Sequence, residues 1–307
     1  MTEEELQGLI KQRKTLELTD EERKKQKGGF IDLPCGNTHY EIKGEGEACV
    51  LVHGYATPYY IFDKVFDCLV ANGYRVLRYD LLGRGLSERV KTDYTPELFA
   101  KQLAEISDKF FPGEPFHLIG TSMGGSVTTA FCAAHPGRAK TLTLLAPAGM
   151  DNFEPPFWMK LVSAPVLGNA LFSIIGSKIL LKRCAAELCV CPQEERDYYT
   201  REFAVSVKYK GMEACTLSSL RNTILKTDRT TANYKTVAAQ CLPMLVIWGE
   251  NDKTMPIYQL PRMKEVCPHA EYHVFDGSGH TFLFDEGERT MAIVLPFLKN
   301  HPITKGE

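Results

Sequence analysis

The sequence of 307 residues carries almost no excess of charge: Lys and Arg number 36 against 38 Asp and Glu, a formal net charge of −2. No block of like charge recurs along it. Binding to nucleic acid or to a strongly charged partner needs such a concentration, so neither is expected. The opening stretch, MTEEELQGLIKQRKTLELTDEERKKQKGG, lacks the apolar core of a secretory signal and the acid-poor character of a transit peptide. A cytosolic location is the expectation.

A disulfide framework and a metal cluster are missing as well. The ten cysteines are dispersed, and several, such as Cys49, Cys68 and Cys132, stand among apolar neighbours, so they read as reduced thiols. Only Cys184, Cys189 and Cys191 cluster, in KRCAAELCVCPQEE, without a nearby histidine or the spacing of a zinc site. They are expected to be ordinary thiols in a helix and its following turn. Nor is there an internal repeat or a convincing membrane span. Leu161 to Ser177 is uncharged, but Pro165, Gly168, Asn169 and Gly176 interrupt it and it is short for a bilayer, so it reads as a buried or lid helix.

What the sequence does contain is a rhythm of short apolar runs, each followed by a turn signal: ACVLVHG, YRVLRYD, FHLIG, TLTLLAP, MLVIWGE and AEYHVFDG. They lack polar alternation, as strands covered on both faces do, and the segments between them are long enough for crossover helices. The pattern predicts an α/β fold with a largely parallel sheet. Ahead of it, GGFIDLPCGNTHYEIKGEG alternates and predicts an antiparallel pair at the sheet edge. Residues 1–28 are expected to form an exposed helical extension, with Thr19 and Glu22 spaced as a capping box. Between LLAPAGM and CLPMLVIWGE the strand rhythm stops, and residues 151–239 read as a helical insertion, leaving 29–150 and 240–307 as the core.

Gly120-Thr121-Ser122-Met123-Gly124 matches G-x-S-x-G between a strand-like run and a helix-like one. A bare match arises by accident about one time in ten in a chain this long, so its context carries the argument. A serine on a strained strand-to-helix turn needs small neighbours, and Gly120, Gly124 and Gly125 supply them. The helix that follows aims N–H groups at developing negative charge. A serine hydroxyl needs a base, and His280, in the glycine-rich FDGSGHTF after the last strand-like run, is placed to act as one. The base needs a carboxylate to set its tautomer. Asp252, in WGENDKTMP, is the first candidate, and Asp151, after LLAPAGM, is its competitor. The N–H groups of Tyr55 and Met123 are candidates for an oxyanion hole. His53 reads as a hydrogen-bonded scaffold residue, and Asp80 as an aspartate bonding the amides of a tight glycine turn.

Taken together, LVHGY, YDLLGRGLSER, GTSMGG, WGENDKTMP and GSGH resemble, in order and approximate spacing, the α/β-hydrolase fold family from about Phe30 to the carboxyl end. The resemblance implies a mostly parallel eight-stranded sheet, with residues 151–239 as a cap. It also implies Ser122 as nucleophile, Asp252 as acid and His280 as base, with Tyr55 and Met123 as oxyanion donors. Serine in place of aspartate disfavours the epoxide hydrolase and haloalkane dehalogenase branches. Carbon–carbon bond hydrolases often carry asparagine before the serine and tryptophan after the histidine, where this chain has Thr121 and Thr281. The expected activity is hydrolysis of a small-molecule carboxylic ester with a small to medium hydrophobic acyl or aromatic group, without cofactor or metal; the alternatives are a thioester or carbon–carbon bond hydrolase using the same three residues, or a non-catalytic ligand-binding protein of the same fold. Neutral His280 is then required, and activity should fall on the acid side near roughly pH 6 to 7.

Overall fold

The computed structural model describes residues 2–303 except 13, 187 and 189, and leaves the side chains of 3, 6, 167, 177 and 183–186 undescribed. In chain order, α1 (Glu3–Lys11) and α2 (Asp20–Lys24) precede β1 (Gly29–Leu33), β2 (Gly36–Lys43) and β3 (Ala48–Val52). Then α3 (Asp63–Ala71), α4 (Pro96–Phe110) and α5 (Met123–Ala134) alternate with β4 (Arg75–Tyr79), β5 (Phe116–Thr121) and β6 (Ala139–Leu145). Among the described residues five α-helices follow without a strand: α6 (Phe157–Ser163), α7 (Pro165–Ala186), α8 (Gln193–Lys208), α9 (Met212–Ser219) and α10 (Thr227–Ala239). The chain closes with β7 (Met244–Gly249), α11 (Leu260–Val266), β8 (Glu271–Phe275), α12 (Phe282–Asp285) and α13 (Gly287–Lys299).

The strands form one sheet in the order β1-β2-β4-β3-β5-β6-β7-β8. β1 and β2 pair antiparallel, β2 joins β4 antiparallel, and every later pairing is parallel. All five residues of β3 and all six of β5 are buried, which is why their sequence shows no polar alternation. Their side chains nevertheless alternate between two cores. Val50 and Val52 belong to the core shared with residues of α4, α5 and α10 on one face, while Cys49 and Leu51 belong to the core shared with residues of α3, α12 and α13 on the other. The result is a sheet between two helical layers.

β3 has β4 on one side and β5 on the other, so the crossovers leaving these strands diverge and open a crevice at their carboxyl ends. Val52 is paired with Gly120, and two residues further on Gly54 and Ser122 lie side by side above that crevice.

Three expectations change in detail. The amino-terminal helix is not wholly exposed: Ile10 is buried, α1 packs on α7 and α8, and the complete capping box lies at Thr2 and Glu5 rather than at Thr19. Thr19 supplies only its own half, accepting from Glu22 N–H. The uncharged stretch from Leu161 is not one helix, because it breaks at Ala164 and Pro165 and the helices on either side are bent by 111°. Proline disfavours a helical conformation in the residue before it, which accounts for the break. The 151–239 block also divides: α10 packs on α5 and α11, and the Tyr234 hydroxyl donates to Ala148 O at 3.0 Å, so α10 belongs to the helical layer on the sheet.

Candidate active site

Ser122 has φ 54° and ψ −122°, a conformation that side-chain-bearing residues rarely adopt. Three backbone hydrogen bonds hold it. Its N–H donates to Leu145 O at 3.0 Å, and its carbonyl accepts from Gly125 N and Ala148 N, each at 2.9 Å. The flanking glycines are sterically required. A Cβ on Gly120 would stand 2.7 Å from Gly124 O, one on Gly124 would meet the Val52 and His53 carbonyls, and one on Gly125 would stand 2.8 Å from Pro147. Gly54 has the same constraint from above, since its Cβ would lie 3.0 Å from Ser122 Cβ. The turn therefore brings Ser122, buried to 7% exposure, to the crevice floor.

His280 and Asp252 reach the same rim on the loops after β8 and β7. These loops are tied together: Asn251 N donates to Ser278 O at 2.8 Å, Glu250 N to Phe275 O at 2.9 Å, and Gly277 N to the Glu250 carboxylate at 3.1 Å. Trp248 Nε1 donates to Met255 O at 2.7 Å and closes the Asp252 turn from below. Asp252 Oδ1 accepts from Thr254 N at 2.8 Å and Met255 N at 2.7 Å, which leaves Oδ2 facing His280 Nδ1 at 2.7 Å. A carboxylate so placed takes the Nδ1 proton, so the ring presents Nε2 as an acceptor. Ser122 and His280 line one cavity. Asp151, by contrast, is engaged elsewhere: its two oxygens take Arg262 Nε at 2.8 Å and an Arg262 terminal nitrogen at 2.9 Å. That guanidinium holds its carboxyl below the usual range.

Tyr55 lines the cavity beside Ser122. Met123 opens α5, where the first N–H groups have no acceptor within the helix. His53 lies beneath this loop, fully buried, with Nε2 accepting from Leu81 N at 2.9 Å and Nδ1 donating to Gly54 O at 3.0 Å. Burial lowers its pKa to about 4, so the ring is neutral and shapes the loop. Asp80 serves the neighbouring turn, accepting from Tyr59 N at 3.0 Å, Leu86 N at 2.9 Å and His39 Nδ1 at 2.8 Å. His39 is buried on β2, one strand in from the sheet edge. His117 sits at the start of β5, the end opposite Ser122, against Thr141 and Glu47.

Sequence reasoning missed Arg84. It is fully buried, its Nε donates to Tyr55 O at 2.9 Å and a terminal nitrogen to Leu82 O at 3.3 Å. Its guanidinium lies within 6 Å of the Tyr55, Tyr94 and Phe99 ring centres. Among the described residues no carboxylate pairs with it. The available signal was an arginine between two glycines in YDLLGRGLSER, and the structure gives both glycines positive φ in a turn next to the Tyr55 loop.

The cavity over Ser122 has a volume of about 110 Å³. Its floor comes from Gly54, Tyr55, Thr121 and Thr281, and its roof from Trp158, Met159 and Val162 of α6, Phe172, Ile175 and Ile179 of α7 and Phe203 of α8. No Lys, Arg, Asp or Glu lines it among the described residues. Of the three clustered cysteines, Cys191 is buried and desolvation pushes its thiol up to about 12, whereas Cys189 and the Cys184 side chain lie outside the described residues.

A mostly parallel eight-stranded sheet with a serine on the strand-to-helix turn at its centre is the architecture of an α/β hydrolase. The alpha/beta hydrolase fold family matches residues 48–287, and the chain belongs to it. Relatives are distant. A 2-hydroxy-6-oxononadienedioate/2-hydroxy-6-oxononatrienedioate hydrolase of Burkholderia vietnamiensis is 28% identical over 85% of this chain and 90% of its own. Lipase 3 of a Moraxella species is 27% identical over 76% of this chain and 72% of its own. Among solved structures, a thermophilic esterase from Thermogutta terrifontis superposes with a TM-score of 0.74 at 21% identity, over 90% of this chain and all of that one.

Proposed function

We propose that this hydrolase cleaves carboxylic esters with small to medium uncharged, apolar acyl or aromatic groups through an acyl-enzyme on Ser122. Ser122 Oγ attacks the carbonyl carbon while His280 Nε2 takes its proton, and Asp252 steadies the imidazolium that results. The Tyr55 and Met123 N–H groups receive the oxyanion, each worth about 3 kcal/mol of barrier, or roughly two decades in rate. His280 then protonates the leaving alcohol, and water, activated by the same imidazole, releases the acid. The roof formed by α6, α7 and α8 acts as a cap that keeps bulk water from the intermediate.

The observation that carries this reading is the charge-free lining. The dienedioate and trienedioate in the names of the carbon–carbon hydrolase relatives are dicarboxylates. A carboxylate buried in this cavity would find no guanidinium or ammonium among the described residues, and an unpaired buried charge is strongly disfavoured. The volume sets size: about 110 Å³ is less than the roughly 150 Å³ apolar cavity known to hold benzene. Short acyl chains fit the closed cavity, and longer or aromatic ones require the cap helices to part.

The test is a series of p-nitrophenyl esters. kcat/KM is expected to be highest between acetyl and hexanoyl, and a terminal carboxylate on the acyl chain should lower it by about two decades. Equal rates for butyrate and hemisuccinate esters would overturn the reading. Ester-silent protein that turns over a vinylogous diketone would move it to the carbon–carbon branch.

A further inference from the structure

The roof of the cavity has a second side. On α6, Met159 and Val162 point inward, while Phe157 and Leu161, four residues apart, are 79% and 41% exposed. On α7, Phe172 and Ile175 point inward, while Val166 and Ile174 are 85% and 65% exposed, with Ala170 and Lys178 continuing the same four-residue stripe outward. Ile179 lines the cavity and is also partly exposed, so the mouth opens beside this apolar surface. Scattered apolar residues are ordinary on a protein surface. Four large ones on the outer side of two adjoining helices, around the entrance to a site, form a contact surface.

Charge identifies what the surface meets. Residues 155–186 contain Lys160, Lys178, Lys182 and Arg183 and not one Asp or Glu, in a chain where acids outnumber Lys and Arg everywhere else taken together. Lys160, Lys178 and Lys182 are exposed, and among the described residues none of them is in an ion pair. Exposed apolar side chains flanked by free cations and no acid complement an anionic lipid surface, where apolar side chains enter the acyl boundary and lysines meet headgroups. The pair of helices is bent by 111°, and no single described helix is long and apolar enough to cross a membrane. That geometry suits helices lying in an interface.

We propose that the outer face of α6 and of α7 as far as Lys182 docks on the surface of an anionic phospholipid bilayer, with the mouth of the cavity at the lipid. This surface goes beyond the ester reading and is tested by binding, so either can fail alone. A partly buried apolar anchor is worth about tenfold in partitioning. Sedimentation with phosphatidylcholine vesicles containing roughly 30 mol% phosphatidylserine reads it directly.

Wild-type protein and Ser122→Ala are expected to pellet equally. Binding should weaken about tenfold without phosphatidylserine or in about 0.5 M salt. The triple variant Phe157→Ser, Val166→Ser, Ile174→Ser should lose about 10³-fold in partitioning while turning over p-nitrophenyl acetate at the wild-type rate, which shows that it is folded. Reversing Lys160, Lys178 and Lys182 to Glu should abolish the preference for phosphatidylserine. Failure of the wild type to pellet, or triple-variant binding equal to wild type, would overturn the proposal. So would a dimer in sedimentation velocity that the triple variant dissociates without any vesicle binding, because the face would then belong to a second copy of the chain.

Discussion

Replacing Asp252 by asparagine, beside the same change at Asp151, separates two carboxylates that stand on neighbouring strand ends. Asp252 accepts three N–H groups, two from the backbone on Oδ1 at 2.8 and 2.7 Å and one from His280 Nδ1 on Oδ2 at 2.7 Å. An asparagine oxygen stays with the two backbone donors, so its NH2 faces Nδ1. The imidazole then accepts at Nδ1 and carries its proton on Nε2, where it cannot receive the Ser122 proton. The expected loss in kcat is about 10³ to 10⁴, or about 4 to 5.5 kcal/mol. The fold keeps both backbone bonds, so the melting temperature should move by only a few degrees. Asp151→Asn instead weakens a pair with Arg262 in which the side chains are 26% and 31% exposed. It should cost less than about 1 kcal/mol of stability and leave kcat within about twofold. Steady-state hydrolysis of p-nitrophenyl butyrate with thermal melts of both variants decides the matter. Asp252→Asn within tenfold of wild type, or equal losses in both variants, would refute the reasoning.

Three further outcomes follow from the same geometry. Arg84→Met removes the bond to Tyr55 O and a buried cation without a carboxylate partner, so stability should change by less than about 2 kcal/mol while kcat falls tenfold or more at similar KM; an unchanged kcat would mean that the oxyanion loop holds its shape without it. Since burial lowers the folded-state pKa of His53 to about 4 and an unfolded histidine titrates near 6.5, the unfolded chain binds the extra proton between these values. Stability present above pH ~6.5 is therefore lost as pH falls toward 4, by about 3 kcal/mol from this group, with buried His117 shifted in the same direction; urea titrations at pH 7, 5.5 and 4 on wild type and His53→Asn should show a shallower decline in the variant. Gly124→Ala drives a Cβ against the Val52 and His53 carbonyls and should lower stability by more than about 2 kcal/mol in a thermal melt, whereas a wild-type melt would show that the turn can relax.

β3, β5 and β7 were readable because strands buried along their whole length impose continuous apolar runs, whereas β1, β2 and β8, partly open to solvent, carry more polar residues and were legible mainly from the turn signals around them. The Ser122 turn was readable because only glycine fits at 120, 124 and 125, so the steric demand is written into residue type. What lay beyond reading depends on contacts between segments distant in the chain. Asp252 ranked before Asp151 in the sequence, but what separates them physically, an imidazole on one and Arg262 on the other, is a matter of tertiary contact. Arg84 looks like a surface cation in a glycine turn until α9 packs Cys215 onto Gly83 and Tyr94 and Phe99 enclose it. The break at Pro165 was visible as an interruption, but whether two bent helices or one covered the site depended on tertiary packing. Likewise α10 has the composition of its neighbours in the helical block, and only its seat on α5 assigns it to the sheet layer.

The account rests on an activated hydroxyl at Ser122, and covalent capture tests that most directly. Native protein treated with a fluorophosphonate and examined by intact mass and peptide mapping should gain a single adduct on Ser122. Labelling should vanish in Ser122→Ala and slow by at least about two decades in His280→Ala, with both variants melting as the wild type does. A folded wild-type protein that takes no label, or one labelled equally fast without His280, would contradict it.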